Sequence, residues 1–360
     1  MLNPIKVLVV DDSGYVVSSV SHKLETDPAI RVIGNARNGI EAIDKVKTLQ
    51  PDVVTMDVIM PEMDGLTALS HIIKECPVPV IMLSALTSEN ADTTIKALEL
   101  GAVDFFLKPS VVDPAGNGFV TASLIDKVKM AARMNRLMKK ITPQPALAGS
   151  DPQKVNPKLD VNFADKVNQL VVIGSSTGGP RALMQVIPAL PPNLPAAVMV
   201  VQHMPPMFTK SLAQRLAQSS KIRVKEAEKE NTLANGQVLL APGDFHMVLD
   251  ESRKIDLLQS PPVQGVRPAV DVTMKSAASA FGSHTLGVVL TGMGCDGTEG
   301  AAHIKSAGGK ILAEDESTCA VYGMPMSVVK AGYADKVLPI NNIASQIVNM
   351  CSGNGKNQGG

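Results

Sequence analysis

The stretch Gln169–Pro180, QLVVIGSSTGGP, decides the fold. Leu170 to Ile173 form an unbroken apolar run, the mark of a strand covered on both faces, and the run passes straight into a glycine-rich turn. Pro180 then suits the first turn of a helix, where its missing N–H costs nothing. A buried strand that turns directly into a helix is the repeating unit of a parallel α/β sheet. Further along, Ala197–Val201 and Leu286–Leu290 are runs of the same kind. Between them lie three shorter runs, Gln237–Leu240, His246–Leu249 and Lys254–Leu258, separated by Pro-Gly-Asp and Asp-Glu-Ser-Arg turns. They are expected to form an antiparallel hairpin inserted in a doubly wound, mostly parallel domain.

Upstream, residues 141–168 carry four prolines among mixed polar residues and no apolar period, which marks a linker. Before it, short apolar runs alternate with amphipathic stretches. The strand candidates are Lys6–Val10, Arg31–Asn35, Val53–Met56, Val80–Leu83 and Val103–Leu107, and a last helix is expected near Thr121–Lys140. The expected organisation is therefore a five-stranded parallel α/β domain over residues 1–140, a linker over 141–168, a second α/β domain over 169–351 and a flexible tail over 352–360. A chain of 360 residues agrees, since a domain takes roughly 150 residues.

Composition excludes several classes of function. Thirty-four basic residues balance thirty-four acidic ones, so no net field draws the chain to nucleic acid or to an anionic membrane. The absence of Trp and an aromatic content of 3% argue against a base-stacking surface. The first residues show no secretory cleavage site, and no apolar run approaches the roughly 18 residues of a membrane span. Cys76, Cys295, Cys319 and Cys351 are scattered without a CxxC pair, as befits reduced thiols. A cytoplasmic protein without membrane insertion is expected.

In the first domain, Asp11 and Asp12 follow the first strand and Asp57 follows the third. Ligands gather at the carboxyl ends of parallel strands, so three carboxylates meet there and need a cation such as Mg²⁺ between them. Lys108 after the fifth strand and Ser84 at the end of the fourth add a cation and a hydroxyl to the same edge. Singly, each has an ordinary reading as a helix cap, a loop residue or a surface lysine; together they make what an aspartyl phosphate site requires. Through VLVVDDS (7–13), PDVVTMDVIMPEMDGL (51–66) and FFLKPS (105–110), this domain resembles a response-regulator receiver. The resemblance implies a flavodoxin-like fold in which Asp57 accepts phosphate from a histidine kinase. It also implies Asp11, Asp12, Asp57 and the Ile59 backbone carbonyl around Mg²⁺, with Ser84 and Lys108 sensing the acyl phosphate. Phe105 stands where many receivers place a switching Tyr.

In the second domain, the turn after Ile173 permits a phosphate cradle of backbone N–H groups or a GxSxG elbow presenting Ser176 as a nucleophile. It lacks a Walker lysine and a GxGxxG pattern, which places the nucleophile ahead. A serine needs a base, and of six histidines His203 follows a buried strand at the same edge, whereas His246 and His284 stand beside strand starts and His303 lies inside a helix. The base needs an orienting acid. Asp296, in the turn Thr291–Gly297, sits at that edge, with Asp271 at a helix start as its rival. The glycines of this turn let the Met293 N–H face an oxyanion. Cys295 has an acid beside it, which raises a thiol pKa and disfavours it as a nucleophile.

VVIGSSTGGP, VVQHMPPMFT, VLLAPGDFHM, RPAVDV, LTGMGCDGTEG and YGMP, within residues 170–325, resemble the catalytic domain of chemotaxis protein-glutamate methylesterases. The resemblance implies Ser176, His203 and Asp296 as a triad, and Met293 and Thr177 at the oxyanion side. It further implies phosphorylation-activated hydrolysis of chemoreceptor glutamate methyl esters, with a related glutamine deamidation and no cofactor for the esterase step. The Ser, His, Asp order departs from that of α/β-hydrolases, so GxSxG here does not imply their fold. Two other classes compete. A non-catalytic phosphate-binding module would bind ATP or NAD, and a DNA-binding output would need a basic helix-turn-helix, which the sequence lacks.

Overall fold

The computed structural model describes residues 3–108, 124–140 and 167–353, and the chain divides into two compact units, Met1–Lys154 and Val155–Gly360. Most of the expected linker and residues 354–360 of the expected tail lie outside the described residues.

In the first unit, β1 (Ile5–Val10), β2 (Ile30–Ala36), β3 (Val53–Asp57), β4 (Val80–Ser84) and β5 (Asp104–Leu107) form one sheet of order β2-β1-β3-β4-β5, every pairing parallel. Helices α1 (Gly14–Glu25), α2 (Gly39–Leu49), α3 (Gly65–Glu75), α4 (Ser88–Leu100) and α5 (Leu124–Lys140) make the connections and close the unit. The strands agree with the apolar runs to within about two residues, and β3 and β4 are buried along their whole length, as strands covered on both faces must be. Local chemistry starts the helices. Ser13, Asn38 and Asp64 each accept a backbone N–H three residues on, capping α1, α2 and α3.

In the second unit, β6 (Leu170–Ser175), β7 (Ala197–Gln202), β8 (Arg223–Glu226), β9 (Gln237–Leu240), β12 (Thr285–Val289), β13 (Lys310–Glu314) and β14 (Lys336–Leu338) form a sheet of order β14-β13-β12-β6-β7-β9-β8. All six pairings are parallel. The hairpin comprises only β10 (His246–Leu249) and β11 (Ile255–Leu258). Gln237–Leu240, expected beside them, instead pairs in parallel with β7 and β8. Turn residues on either side of a short apolar run mark its ends but not its partner, which here is a strand some forty residues earlier in the chain.

The helices of this unit are α6 (Gly179–Val186), α7 (Phe208–Ser219), α8 (Val270–Phe281), α9 (Thr298–Ser306), α10 (Met324–Lys330) and α11 (Ile340–Ser352). The last of these carries the fold one residue into the expected tail. Central strands β6, β7 and β12 are wholly buried, and their core joins Val172, Met199, Val270, Met274 and Ile304. This layout puts the carboxyl ends of β12, β6 and β7 side by side at the middle of the sheet, the usual location of a binding crevice. Among the described residues no helix is long and apolar enough to cross a membrane.

Candidate active site and phosphoacceptor site

The strand end at β6 is built by close approach. Gly178 has φ +76°, and a Cβ there would stand 2.4 Å from the Ala320 Cβ. A Cβ at Gly179 would lie 2.0 Å from Gln202 Oε1. Gln202, the single polar residue of β7, clamps this turn: it accepts the Ser175 hydroxyl at 2.7 Å, and its Nε2 donates to Ser176 O at 2.9 Å. Ser176 N donates to Thr291 O at 3.0 Å, tying the serine to the turn after β12. A Cβ on Gly292 would sit 2.9 Å from the Ser176 Cβ, so that turn and the serine pack together only because position 292 is glycine.

His203 directly follows β7, and its N–H donates to Ser175 O at 3.2 Å. Its ring Nε2 lies 2.8 Å from Asp296 Oδ2, with both side chains almost wholly buried. Asp296 is held from four directions. Its Oδ2 also accepts Val270 N at 2.6 Å, and its Oδ1 accepts Asp271 N at 2.8 Å and Gly297 N at 2.9 Å. Burial alone would raise its pKa, but the hydrogen bond and charge of His203 and the backbone donors hold the carboxyl below the ordinary aspartate value.

Asp271 lies in the same cluster and serves a different end. Its Oδ1 accepts Gly297 N at 2.8 Å and Gly300 N at 2.7 Å, so it caps α9 from another helix, while its Oδ2 accepts Gln264 Nε2 at 2.9 Å. Burial first, and the charge of Asp296 second, push its pKa up to about 6. The structure thus brings Asp296, and not its rival Asp271, against His203.

His246 and His303 have separate partners. His246 is buried, accepts Ala269 N on Nδ1 and donates from Nε2 to Pro261 O. That fixes a neutral ring, and burial lowers its pKa accordingly. His303 Nδ1 donates to Glu299 O. Cys295 is an exposed residue, and partial desolvation of its thiol, then the charges of Asp271 and Asp296, raise its pKa. Thr177 is buried with its carbonyl accepting the Thr291 hydroxyl, and Met293 is half-buried one residue past Gly292. Spacing did not single out Gln202, Asp271 as a cap, or Thr291. An amide ending an otherwise apolar strand was the available signal for the first.

In the other unit, Asp11, Asp12 and Asp57 each offer an oxygen within 4.8 Å of the others, a set of hard donors that suits Mg²⁺. Lys108 Nζ lies 2.8 Å from Asp11 Oδ2 and 2.6 Å from Asp57 Oδ2. Burial opposes its charge, but these two carboxylates raise its pKa. Burial raises that of Asp57, against the pull of Lys108. The Ile59 N–H donates to the Asp57 carboxylate. Gly65 makes this corner possible, because a Cβ there would stand 1.9 Å from Asp57 O. Ser84 shares the edge but accepts the Thr94 hydroxyl at 2.9 Å, so its oxygen is engaged with α4.

These two units define a signalling enzyme in which a response-regulator receiver and a hydrolase of parallel α/β architecture share one chain. Family comparison gives each its match: residues 7–114 to the response regulator receiver domain and residues 171–347 to CheB methylesterase. The chain is 49% identical over 355 residues to the protein-glutamate methylesterase/protein-glutamine glutaminase of Symbiobacterium thermophilum, 96% of each being covered. It is 45% identical over 347 residues to that of Pyrococcus horikoshii, covering 96% of this chain and 93% of the relative. The crystal structure of the Thermotoga maritima CheB methylesterase catalytic domain aligns at 51% identity with a TM-score of 0.50, covering 51% of this chain and all of that one. The chain belongs to the CheB methylesterase family.

Proposed function

We propose that this protein hydrolyses γ-glutamyl methyl esters on the cytoplasmic helices of chemoreceptors, and deamidates receptor glutamines, under control of phosphorylation at Asp57. Residues 1–140 act as the receiver, 141–168 as linker, 169–351 as the catalytic domain and 352–360 as a tail. The name shared by relatives that match nearly the full chain supports the substrate class. The observation that carries the mechanism is the 2.8 Å bond between His203 Nε2 and Asp296 Oδ2, in the turns that follow the two strands flanking the one that leads into Ser176.

Asp296 engages Nε2, which leaves Nδ1 as the nitrogen that takes the serine proton. Ser176 Oγ attacks the ester carbonyl carbon as its proton passes to His203. The developing oxyanion is met from the Met293 and Thr177 side, an interaction typically worth about 3 kcal/mol per donor. Collapse expels methanol, which takes the proton from His203, and water then cleaves the acyl-serine to release glutamate.

In the receiver, Asp11, Asp12, Asp57 and the Ile59 carbonyl would hold Mg²⁺, which offsets carboxylate charge as a histidine kinase delivers phosphate to Asp57. Ser84 and Lys108 then rebond to the phosphoryl oxygens and bias the loop and helix beside them. Nucleic acid has no place in this reading, and the protein works in the cytoplasm without inserting into the membrane. Methanol release from methylated receptor membranes tests the proposal. Ser176→Ala should abolish it with fold intact, and retained turnover would remove the serine mechanism.

A further inference from the structure

Glu314 ends β13 at the same sheet edge as the candidate triad, is 1% exposed, and has no role in the mechanism above. Its Oε2 accepts Thr291 N at 2.8 Å and its Oε1 accepts the Thr318 hydroxyl at 3.0 Å. Thr291, also buried, uses its remaining polar atoms on the site. Its carbonyl accepts Ser176 N at 3.0 Å, and its hydroxyl donates to Thr177 O at 3.0 Å while accepting Val321 N at 2.9 Å. The next residue, Gly292, donates to Val321 O and accepts Gly323 N and Met324 N, so the YGMP stretch is bound into the same knot. One threonine therefore joins the serine turn, the turn that carries Met293 and the Val321–Met324 turn, and Glu314 fixes that threonine from behind.

We infer that Glu314 is a positioning residue for the esterase reaction, which through Thr291 sets the separation between Ser176 and the backbone around Met293. The inference rests on Ser176 being the nucleophile. A buried carboxylate is costly to keep without full partners, and burial raises the pKa of Glu314 while the Thr291 and Thr318 bonds oppose that rise. The group acts as an acceptor of Thr291 N–H, a task an amide oxygen also performs. Misplacing reacting groups by about 1 Å costs on the order of a hundredfold in rate. Loss of the acceptor should thus fall on kcat and leave KM alone.

The test is methanol release from methylated receptor membranes by the full-length chain, alongside the rate at which a fluorophosphonate labels Ser176. Glu314→Gln should keep kcat within about threefold of the parent, and Glu314→Leu should lose about tenfold or more in kcat and in labelling rate at unchanged KM. A folded Glu314→Leu protein with parental kcat, or a Gln variant as impaired as the Leu one, overturns the inference. Should the leucine variant not fold, Glu314→Asp carries the test, because it keeps the charge and withdraws the oxygen by one methylene: a tenfold kcat loss supports the role and parental kcat refutes it. Ser176→Ala separates the two readings. Its inactivity beside a fully active Glu314→Leu defeats the positioning role alone, whereas its activity defeats both.

Discussion

His203 and Asp296 are joined by one short bond between Nε2 and Oδ2, and the acid end of that bond cannot swing, because both oxygens of Asp296 are already held by backbone N–H groups of α8 and of Gly297. Two of the donors, Val270 and Asp271, are the first residues of α8, where N–H groups have no partner inside the helix and favour a negative charge. The ring thus meets a fixed, ionised acceptor.

Asp296→Asn should therefore damage chemistry rather than fold. The amide either turns its NH₂ toward the ring, which costs His203 its Nε2–H tautomer, or turns it toward Asp271 N and Gly297 N, which then lose their acceptor, and in both cases the charge that stabilises a protonated His203 is gone. Related triads lose on the order of 10⁴ in kcat on such a change. A loss of at least about a hundredfold in methanol release is expected, with KM little altered; a variant within a few fold of the parent would sink the orienting role.

Gly65→Ala tests the corner beside the phosphoacceptor. An added Cβ would meet backbone, Asp57 O at 1.9 Å, and backbone cannot rotate away as a side chain can. Overpacking of this kind costs roughly 1–3 kcal/mol and displaces the end of β3. Phosphorylation by a small phosphodonor with Mg²⁺ should slow markedly, and Asp57→Asn should not label at all. Equal labelling of wild type and Asp57→Asn would move the site elsewhere.

Much of this was legible beforehand, for a physical reason. Parallel strands buried on both faces must be apolar throughout, so the polar residue that ends each run is conspicuous, and that residue stands where ligands bind. Asp57, Ser84, Ser176, His203 and Lys108 stand out as candidates for this reason. Arg223–Glu226 escaped notice because β8 is an edge strand, half exposed and charged. Glu314 escapes a sequence reading because Ala313–Ser317 reads as a solvated acidic run, and its first carboxylate is buried only by the place of β13 between β12 and β14, both distant in the chain. Asp271 rivals Asp296 in the sequence, yet its partners Gly297 and Gly300 come from the start of a different helix, which no local pattern encodes.

Lys127 and Asp104 give a stability test at the opposite end of β5 from Lys108. Their 2.6 Å ion pair is almost wholly buried between α5 and the start of β5. Lys127→Met removes the cation from the pair while Asp104 keeps the Phe105 N–H at 2.7 Å, and breaking a buried pair from one side typically costs about 3–5 kcal/mol. The double variant Lys127→Met with Asp104→Leu should recover much of that loss. If the single variant melts within about 1 °C of the parent, the pair contributes nothing.

The coupled acids supply a pH dependence whose sign can be worked out. Asp271 has its pKa raised to about 6 in the folded protein from an ordinary value of 3.8. The folded state thus binds this proton more tightly than the unfolded chain does, so the associated stability is present below pH 3.8 and is lost as pH rises through 6. Asp296 runs the other way: its lowered pKa contributes stability above the ordinary value that disappears only on acidification. Asp271→Asn removes the first effect and leaves the second. The amide oxygen still accepts Gly297 and Gly300, and Gln264 turns its own amide to accept the new NH₂. The melting temperature of the catalytic unit, followed by calorimetry from pH 4.5 to 7.5, should rise in the variant relative to the parent as pH increases. The gain at the alkaline end is on the order of 1–3 kcal/mol. A difference between the two proteins that stays constant across this window would mean that Asp271 does not carry a shifted proton.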